Sequence, residues 1–208
     1  MPLEATHIRF ALSLQDQYEI KNIKQYIAGT VYPDSHYITG IKKNLTHDIA
    51  FLSPEFASDD FRKGWQVHQI CDMAFEAAVR KIFSDLFFET ADFNEKEVWI
   101  KIMAIRIILD AEDMQAFDIQ QCLRYLKYYR RPNNEDISKI KRYNEVIADL
   151  YKGRKVTTID DNISNLLLFA PNADICQQTK EVIKEYSNKS DIIARIRIIH
   201  KEMLNNHL

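Results

Sequence analysis

The chain has 208 residues, of which 28 are lysine or arginine and 30 are aspartate or glutamate, giving a formal net charge of −2. This length suffices for one domain with a well-buried core, and the balanced charge excludes a broad phosphate-tracking surface, so long nucleic acid is not an expected partner. No uncharged apolar run approaches the roughly 20 residues of a membrane span, and the first residues do not read as a signal peptide, which predicts a cytoplasmic protein without a transmembrane segment.

Apolar residues recur at helical spacing along most of the chain, whereas glycine and proline are scarce. The first helix is predicted over "EATHIRFALSLQ" (residues 4–15). The second is predicted over "QYEIKNIKQYIAG" (residues 17–29), with Gly29 as its stop. Residues 29–56 are predicted to be irregular, because prolines and a further glycine interrupt them.

The remainder of the chain is predicted to be helical and without strands. A long helix is expected over residues 58–88, with Ser58 as its cap. A second tract is expected over residues 94–129, with a bend or break at residues 109–113. Shorter helices are expected at about residues 135–151, 159–169, 173–186 and 191–204. The chain is therefore predicted to be a single all-α domain, with residues 1–90 as the half that carries the site and 91–208 as a helical half of unknown role.

The strongest chemical signal is "GWQVHQICDMAFE" (residues 64–76). His68 and Asp72 lie four residues apart, so a helix places both on one otherwise apolar face, and Glu76 follows one turn later. A buried carboxylate without a cation is costly, and two carboxylates at about 4 Å repel by about 4 kcal/mol at an effective dielectric constant of about 20. A divalent metal would remove that conflict, and imidazole with carboxylate suits zinc, manganese or iron.

The irregular segment can complete such a site from a second direction. It reads "QYIAGTVYPDSHYITGIKKNLTHDIAF" (residues 25–51). Asp34 and His47 are expected to face the helical pair, and His7 in the first helix is a further donor. His36, Asp48 and Glu76 are further candidates, each as an extra ligand or as the partner of a ligand. His36 could also contact phosphate, and the role of loop residue or ligand partner is favoured for it.

Four segments in a fixed order carry a family resemblance: "THIRFA", "AGTVYPDSHY", "LTHDIAF" and "GWQVHQICDMAF". They match a histidine near the N-terminus, a Gly-x-x-x-Pro-Asp segment, a Ser/Thr-His pair and a helical Gly-x-x-x-His-x-x-x-Asp. The ordered set resembles the zinc-dependent phospholipase C family, whose more distant relatives are fungal single-strand nucleases. The resemblance covers about the first 76 residues.

The resemblance implies one or two zinc ions and a small phosphoester or phospholipid substrate. One metal would be held by Asp34, His47, His68 and Asp72, and a second by His7 with Asp72 as the bridging carboxylate. Asp34 would also be the base that takes a proton from the attacking water. The superfamily further implies that the amine of Pro2 is a ligand once the initiator methionine is removed.

The chain departs from the family pattern at the third metal. The family holds that metal through two more histidines and an acid, but no histidine occurs between His68 and His200. The third site is therefore expected to be absent, or rebuilt from Glu76, Asp110 or Glu112.

Two alternatives remain open from the sequence. His47 and Asp48 form a His-Asp doublet, as in the HD-domain phosphohydrolases, with His7 as the first ligand; that doublet normally lies within a helix, whereas this segment reads as loop. The other alternative is a non-catalytic helical protein with a structural or vestigial metal site, which a closed four-ligand shell would favour. The sequence does not predict the oligomeric state.

Overall fold

The fold consists of helices alone within residues 3–85, 94–152 and 172–205, the parts that this computed structural model describes. Those residues form nine α-helices and no strand, which confirms the predicted all-α class. In chain order they are α1 (Glu4–Leu14), α2 (Ile23–Val31), α3 (His36–Thr39), α4 (Asp60–Ile82), α5 (Glu95–Asp113), α6 (Ile119–Tyr125), α7 (Ile137–Tyr151), α8 (Ala173–Ser187) and α9 (Ser190–Asn205). Among these described helices, none combines the length and apolar composition that a membrane crossing requires.

Polar caps fix where several helices begin, and they correct two predicted boundaries. The side chain of Asp59, not Ser58, accepts the first-turn N–H of Arg62 and starts α4. The tract predicted over residues 94–129 is two helices, since α5 ends within the expected break and Asp118 caps α6. The predictions for residues 86–88 and 159–169, and for Pro2, lie outside the described residues.

Two glycines determine how α2 crosses α4. A Cβ atom on Gly29 would lie 1.9 Å from the carbonyl oxygen of Phe61, and one on Gly64 would lie 2.0 Å from that of Tyr26. The two backbones therefore touch, which only glycine permits. The prediction that Gly29 stops the helix is wrong, because α2 continues to Val31 and this glycine serves close packing instead.

The segment between α2 and α4 is more regular than predicted. It forms a 3-10 turn at Tyr32–Ser35, the short helix α3, and further 3-10 turns at Lys43–Leu45 and Ile49–Leu52. Gly40 ends α3 in the left-handed region, with φ of 73°. The prolines and glycine bend the chain without removing its local helical hydrogen bonds, so the side chains of this segment have defined directions.

The core surrounds α4, which packs against α1, α2 and α9. Its inward face buries Val67, Cys71, Phe75 and Val79. The three cysteines of the chain are buried free thiols, as expected for small apolar residues. The polar residues of α4 that face the crossing with α2 form the site.

Candidate metal centre

The five predicted metal ligands lie close together, although they come from four separate parts of the fold. They are His7 of α1, Asp34 of the turn after α2, His47 between two 3-10 turns, and His68 and Asp72 of α4. The His47 Nε2 atom lies 3.2 Å from His68 Nε2. It also lies 3.4 Å from Asp34 Oδ1 and 3.6 Å from Asp72 Oδ2. The His68 Nε2 atom lies 3.8 Å from Asp34 Oδ1 and 3.7 Å from Asp72 Oδ2.

These separations are those of a tetrahedral ligand set. Zinc binds imidazole nitrogen and carboxylate oxygen at about 2.0–2.1 Å, so ligand atoms at the corners of a regular tetrahedron lie about 3.3–3.4 Å apart. The five measured edges run from 3.2 to 3.8 Å. Five of the six edges between these two imidazole nitrogens and two carboxylate oxygens are therefore close to the lengths that one zinc-sized cation requires.

A backbone carbonyl determines which nitrogen of His68 faces this set. The Nδ1 atom lies 2.8 Å from the carbonyl oxygen of Thr30. A carbonyl oxygen only accepts, so Nδ1 carries the proton and donates it, which leaves the Nε2 lone pair of the neutral ring directed at the carboxylates. Metal-binding histidines are commonly oriented in this way.

A similar argument assigns the tautomer of His47. Its Nδ1 atom lies 2.9 Å from Thr46 Oγ1, and that hydroxyl donates its only proton to the carbonyl oxygen of Lys43 at 3.1 Å. In that arrangement the hydroxyl oxygen accepts from Nδ1, and the Nε2 lone pair faces the other possible ligands, where a shared cation would separate it from the lone pair of His68 Nε2. Trp65 Nε1 and Gln69 Nε2 both donate to the Thr46 carbonyl oxygen, at 2.8 and 2.9 Å, so α4 also positions this loop.

The remaining donor, His7, lies on the other side of Asp72. Its Nε2 atom is 3.5 Å from Asp72 Oδ1, and its ring stacks on that of His68 with centroids 3.9 Å apart. Neither ring nitrogen has a hydrogen-bond partner within the described residues. One oxygen of Asp72 thus faces His47 and His68 while the other faces His7, which is the geometry of a bridging carboxylate.

Burial and mutual charge perturb the acidity of the whole cluster. Burial acts to raise the pKa of Asp34, but the imidazoles of His68 and His47 outweigh it and hold that pKa below its usual range. Burial and the negative charge of Asp34 raise the pKa of Asp72 to about 7. Burial lowers the pKa of His7 and of His68. Near neutral pH the rings of His7 and His68 are therefore uncharged and Asp72 is partly protonated, so a cation could replace that proton.

The secondary candidates are distributed differently. His36 stays close, since its ring nitrogen forms a third group of possible ligands with Asp34 and His47, while its Nδ1 donates to the Pro33 carbonyl oxygen at 3.0 Å. Asp48 caps the Ala50 N–H at 2.8 Å and is exposed, so the His-Asp doublet does not act as a pair here. This finding weakens the HD-domain alternative.

The acids proposed for a third metal have other partners. Glu76 pairs with Arg80 on the surface, with 66 % of its side chain exposed, and Glu112 pairs with Arg197. Asp110 accepts from the backbone N–H of Thr6 and from the hydroxyl of Tyr151. Within the described parts of the chain, none of these three acids joins a cluster of possible metal ligands.

A cleft of about 580 Å³ opens beside the donors. His47 and Asp72 form part of its wall, together with the cationic residues Lys43, Arg80 and Arg106. Asp48 and Glu76 also line the cleft, and apolar side chains of α4, α5 and the last 3-10 turn complete the lining. The cleft therefore combines charged groups of both signs, apolar surface and access to two of the possible ligands.

Sequence analysis did not single out several residues that build the site. Thr30, Thr46 and Gln69 orient the two histidines, and Arg106 reaches the cleft from α5. Helical spacing could have indicated Gln69, since Trp65, Gln69 and Asp72 share a face of α4. The two threonines act through tertiary contacts that no local pattern reveals.

A second buried acidic cluster lies nearby. The hydroxyl of Tyr143 donates to Glu4 Oε1 at 3.1 Å, and that of Tyr151 donates to Asp110 Oδ2 at 2.8 Å. Burial, reinforced by the charges of Asp34 and Asp110, raises the pKa of Glu4 to about 8. Burial raises the pKa of Asp110 to about 7. Glu4 is therefore a protonated acid at neutral pH.

This cluster predicts an unusual pH dependence of stability. A carboxyl whose folded pKa exceeds its unfolded value stabilises the protein at low pH, and this stabilisation is lost as the pH rises through the folded pKa. With chelator present, raising the pH from 6 to 8 is expected to cost about 2 kcal/mol through Glu4 alone, or about 4–8 °C in Tm. Circular dichroism melts at pH 6, 7 and 8 measure this.

The variant Glu4→Gln isolates the contribution of this carboxyl. Its amide can accept from Tyr143 as the protonated acid does, but it does not ionise, so the fall in Tm from pH 6 to 8 should be smaller by that amount. The exposed Glu145→Gln on α7 is the matched control and should melt as the wild type does. Identical pH slopes in Glu4→Gln and wild type would show that Glu4 is already ionised at pH 6.

Comparisons with known proteins do not extend the family argument. No family model, no curated protein and no solved structure matches this chain. The resemblance to the zinc-dependent phospholipase C family therefore stays a prediction, and so does the metal. Function is therefore inferred from the geometry of the possible metal ligands and of the cleft beside them.

Proposed function

We propose that this chain is a metal-dependent phosphoesterase that takes zinc, with manganese or iron as alternative ions. The observation that carries the proposal is the set of possible ligand atoms on His47, His68, Asp34 and Asp72, with five of their six pairings 3.2–3.8 Å apart, beside a cleft that includes cationic side chains. A bound divalent ion supplies charge neutralisation at phosphoryl oxygens and lowers the pKa of water. A small phosphoester or phospholipid fits the mixed polar and apolar cleft.

Side chains of the site would orient the metal and accept the proton of the attacking water. His68 and His47 are held by their Nδ1 hydrogen bonds, so their Nε2 lone pairs are preorganised. Asp34 is ionised at neutral pH, since its pKa is held below its usual range, and its carboxylate would accept a proton from the attacking water; the low pKa makes it a weak base. One oxygen of Asp72 faces His47 and His68 and the other faces His7, so its carboxylate connects the two groups of possible ligands.

Substitution of Asp34 tests its role as base. Asp34→Asn keeps an oxygen donor but cannot take up a proton, so hydrolysis of 4-nitrophenyl phosphate and its diester should fall about 100-fold or more. Zinc content, measured by mass spectrometry on untagged protein, should change far less. Asp48→Asn is the control, since it makes the same change at an exposed residue of the cleft and leaves the cap of Ala50 possible.

Two results distinguish the role of Asp34 as the base from the proposed phosphoesterase function of the protein. Equal rates for Asp34→Asn and wild type would exclude Asp34 as the base while leaving it as a ligand. A wild-type protein that neither retains nor rebinds zinc, manganese or iron would overturn the proposed function.

A structural metal site is the second candidate, and one observation favours it. His7, Asp34 and His68 are almost completely buried, as in closed zinc sites. The cleft at Asp72 and His47 argues for access instead. Stoichiometric zinc in a protein that hydrolyses neither ester above background would support the structural role.

A further inference from the structure

Arg106 of α5 is a cation that forms no ion pair with a carboxylate in the described parts of the chain. Its Nε atom is buried and has no hydrogen-bond partner, and no ion pair joins its guanidinium to an acid within the described residues. The contact that it does make is with an aromatic ring, since its Cζ atom lies 5.4 Å from the centroid of Phe75. The same side chain lines the cleft beside Asp72 and His47.

An unpaired guanidinium in a half-buried position is costly. Burial lowers the pKa of Arg106, the charges of Asp72, Asp34 and Glu76 act in the opposite direction, and the guanidinium group stays protonated. Arg80, which lines the same cleft, differs because Glu76 pairs with it at 2.8 Å. Asp72 acts on Arg106 from beyond ion-pair distance, so an anion in the cleft would give the guanidinium the direct partner that the described residues do not supply.

Lys43 brings a second cation to the same cleft. It lies on the 3-10 turn that precedes His47, and its ammonium group likewise has no ion pair to an acid in the described parts of the chain. Lys43 is exposed, so it would not define a site alone. Together with the half-buried Arg106 it adds positive charge beside the proposed metal ligands.

We infer that Arg106 and Lys43 form the phosphate pocket of this site, and that the pocket selects phosphomonoesters over phosphodiesters. The inference rests on the proposed function. A terminal phosphate carries about −1.5 to −2 charges near pH 7 and three unesterified oxygens, whereas a diester carries one charge and two such oxygens. The forked guanidinium binds two of the three oxygens, which leaves the third for the metal donors or for Lys43.

Inorganic phosphate is the direct probe of this pocket. Its affinity is measured by calorimetry on zinc-loaded wild type, Arg106→Gln, Arg106→Lys and the control Arg124→Gln, at an exposed residue of α6 outside the cleft. Loss of charge-assisted hydrogen bonds should raise the Kd of Arg106→Gln about 10- to 100-fold. The Kd of Arg106→Lys should fall between those of wild type and Arg106→Gln, because lysine keeps the charge without the fork, and the Kd of Arg124→Gln should stay within about twofold of wild type.

Stability and zinc content distinguish a binding role from a structural one. Arg106→Gln removes an unpaired cation, so its Tm should equal or exceed that of wild type, with zinc content unchanged. If Tm, zinc content and phosphate affinity all fall together, Arg106 is a structural counter-ion of Asp72 and the inference is overturned. Unchanged phosphate affinity in zinc-loaded Arg106→Gln would overturn it as well, while leaving the proposed function intact.

Hydrolysis of the two esters tests the selectivity. The ratio of kcat/KM for 4-nitrophenyl phosphate to that for its diester should fall about tenfold or more in Arg106→Gln. An equal loss on both esters would overturn the selection of phosphomonoesters. A wild type that hydrolyses neither ester but binds phosphate through Arg106 would overturn the proposed function and keep the anion pocket.

Discussion

His68→Ala is expected to reduce zinc affinity at least 100-fold and to lower the Tm of the zinc-loaded protein by about 6–16 °C. The variant removes one of the four tetrahedral donors and leaves Asp34 and Asp72 without a shared cation. Ligand linkage sets the size of the effect, because a metal present at 100 to 1,000 times its Kd contributes about 3–4 kcal/mol to the folded state. For a chain of this length, each kcal/mol is about 2–4 °C.

The control for this variant is His200→Ala on α9. His200 is also buried, so its removal has a comparable packing cost, but it belongs to none of the donor groups of the site. Both variants are melted with zinc and with chelator, and the zinc-dependent part of the Tm should vanish only in His68→Ala. If His68→Ala keeps full zinc content and the same zinc-dependent rise in Tm, His68 is not a ligand.

Gly64→Ala is expected to destabilise the protein by about 3 kcal/mol or more. The added Cβ would lie 2.0 Å from the Tyr26 carbonyl oxygen and 2.9 Å from the Thr30 backbone nitrogen, so α2 and α4 must separate. Overpacking against backbone has few ways to relax, which places this change among the severe ones. Because Thr30 also holds His68, the same shift should weaken zinc binding.

Gly40→Ala provides the contrast to this variant. No atom lies within 4 Å of a Cβ built there, so the cost comes only from the left-handed backbone and should be about 1 kcal/mol. Urea unfolding of both variants measures the difference. A Gly64→Ala protein as stable as Gly40→Ala would show that the helices are not in backbone contact.

The second helix shows where local pattern and tertiary packing diverge. Glycine is a common helix stop, which led the sequence analysis to end the helix at Gly29, but the absent side chain is needed at the crossing with α4. Likewise, the prolines between α2 and α4 predicted irregular chain, although short helical turns persist between them. In both cases the sequence pattern marks an unusual position in the chain, but packing in the fold determines which structure forms there.

The possible metal ligands also differ in whether local spacing or tertiary packing brings them together. His68 and Asp72 share a helical face, which follows from their spacing alone. The convergence of His7, Asp34 and His47 on that face was an expectation from motif order, and the fold brings them within a few ångströms. Thr30, Thr46 and Arg106 could not be found this way, because a backbone acceptor, a hydroxyl acceptor and an unpaired cation have no sequence signature.

By itself the sequence determined two features. Helical periodicity with few glycines and prolines determined the all-α class. The four-residue spacing of His68 and Asp72 placed this pair of possible ligands on one helical face. Tertiary structure decided which ring nitrogens face inward, which carboxylate lies between two sets of imidazoles, and which arginine lines the cleft without an ion pair among the described residues. The physical reason is range: periodicity and spacing act within one helix, whereas tautomer, pKa and charge pairing depend on groups from α1, α2, α4 and α5 that meet only when these helices pack.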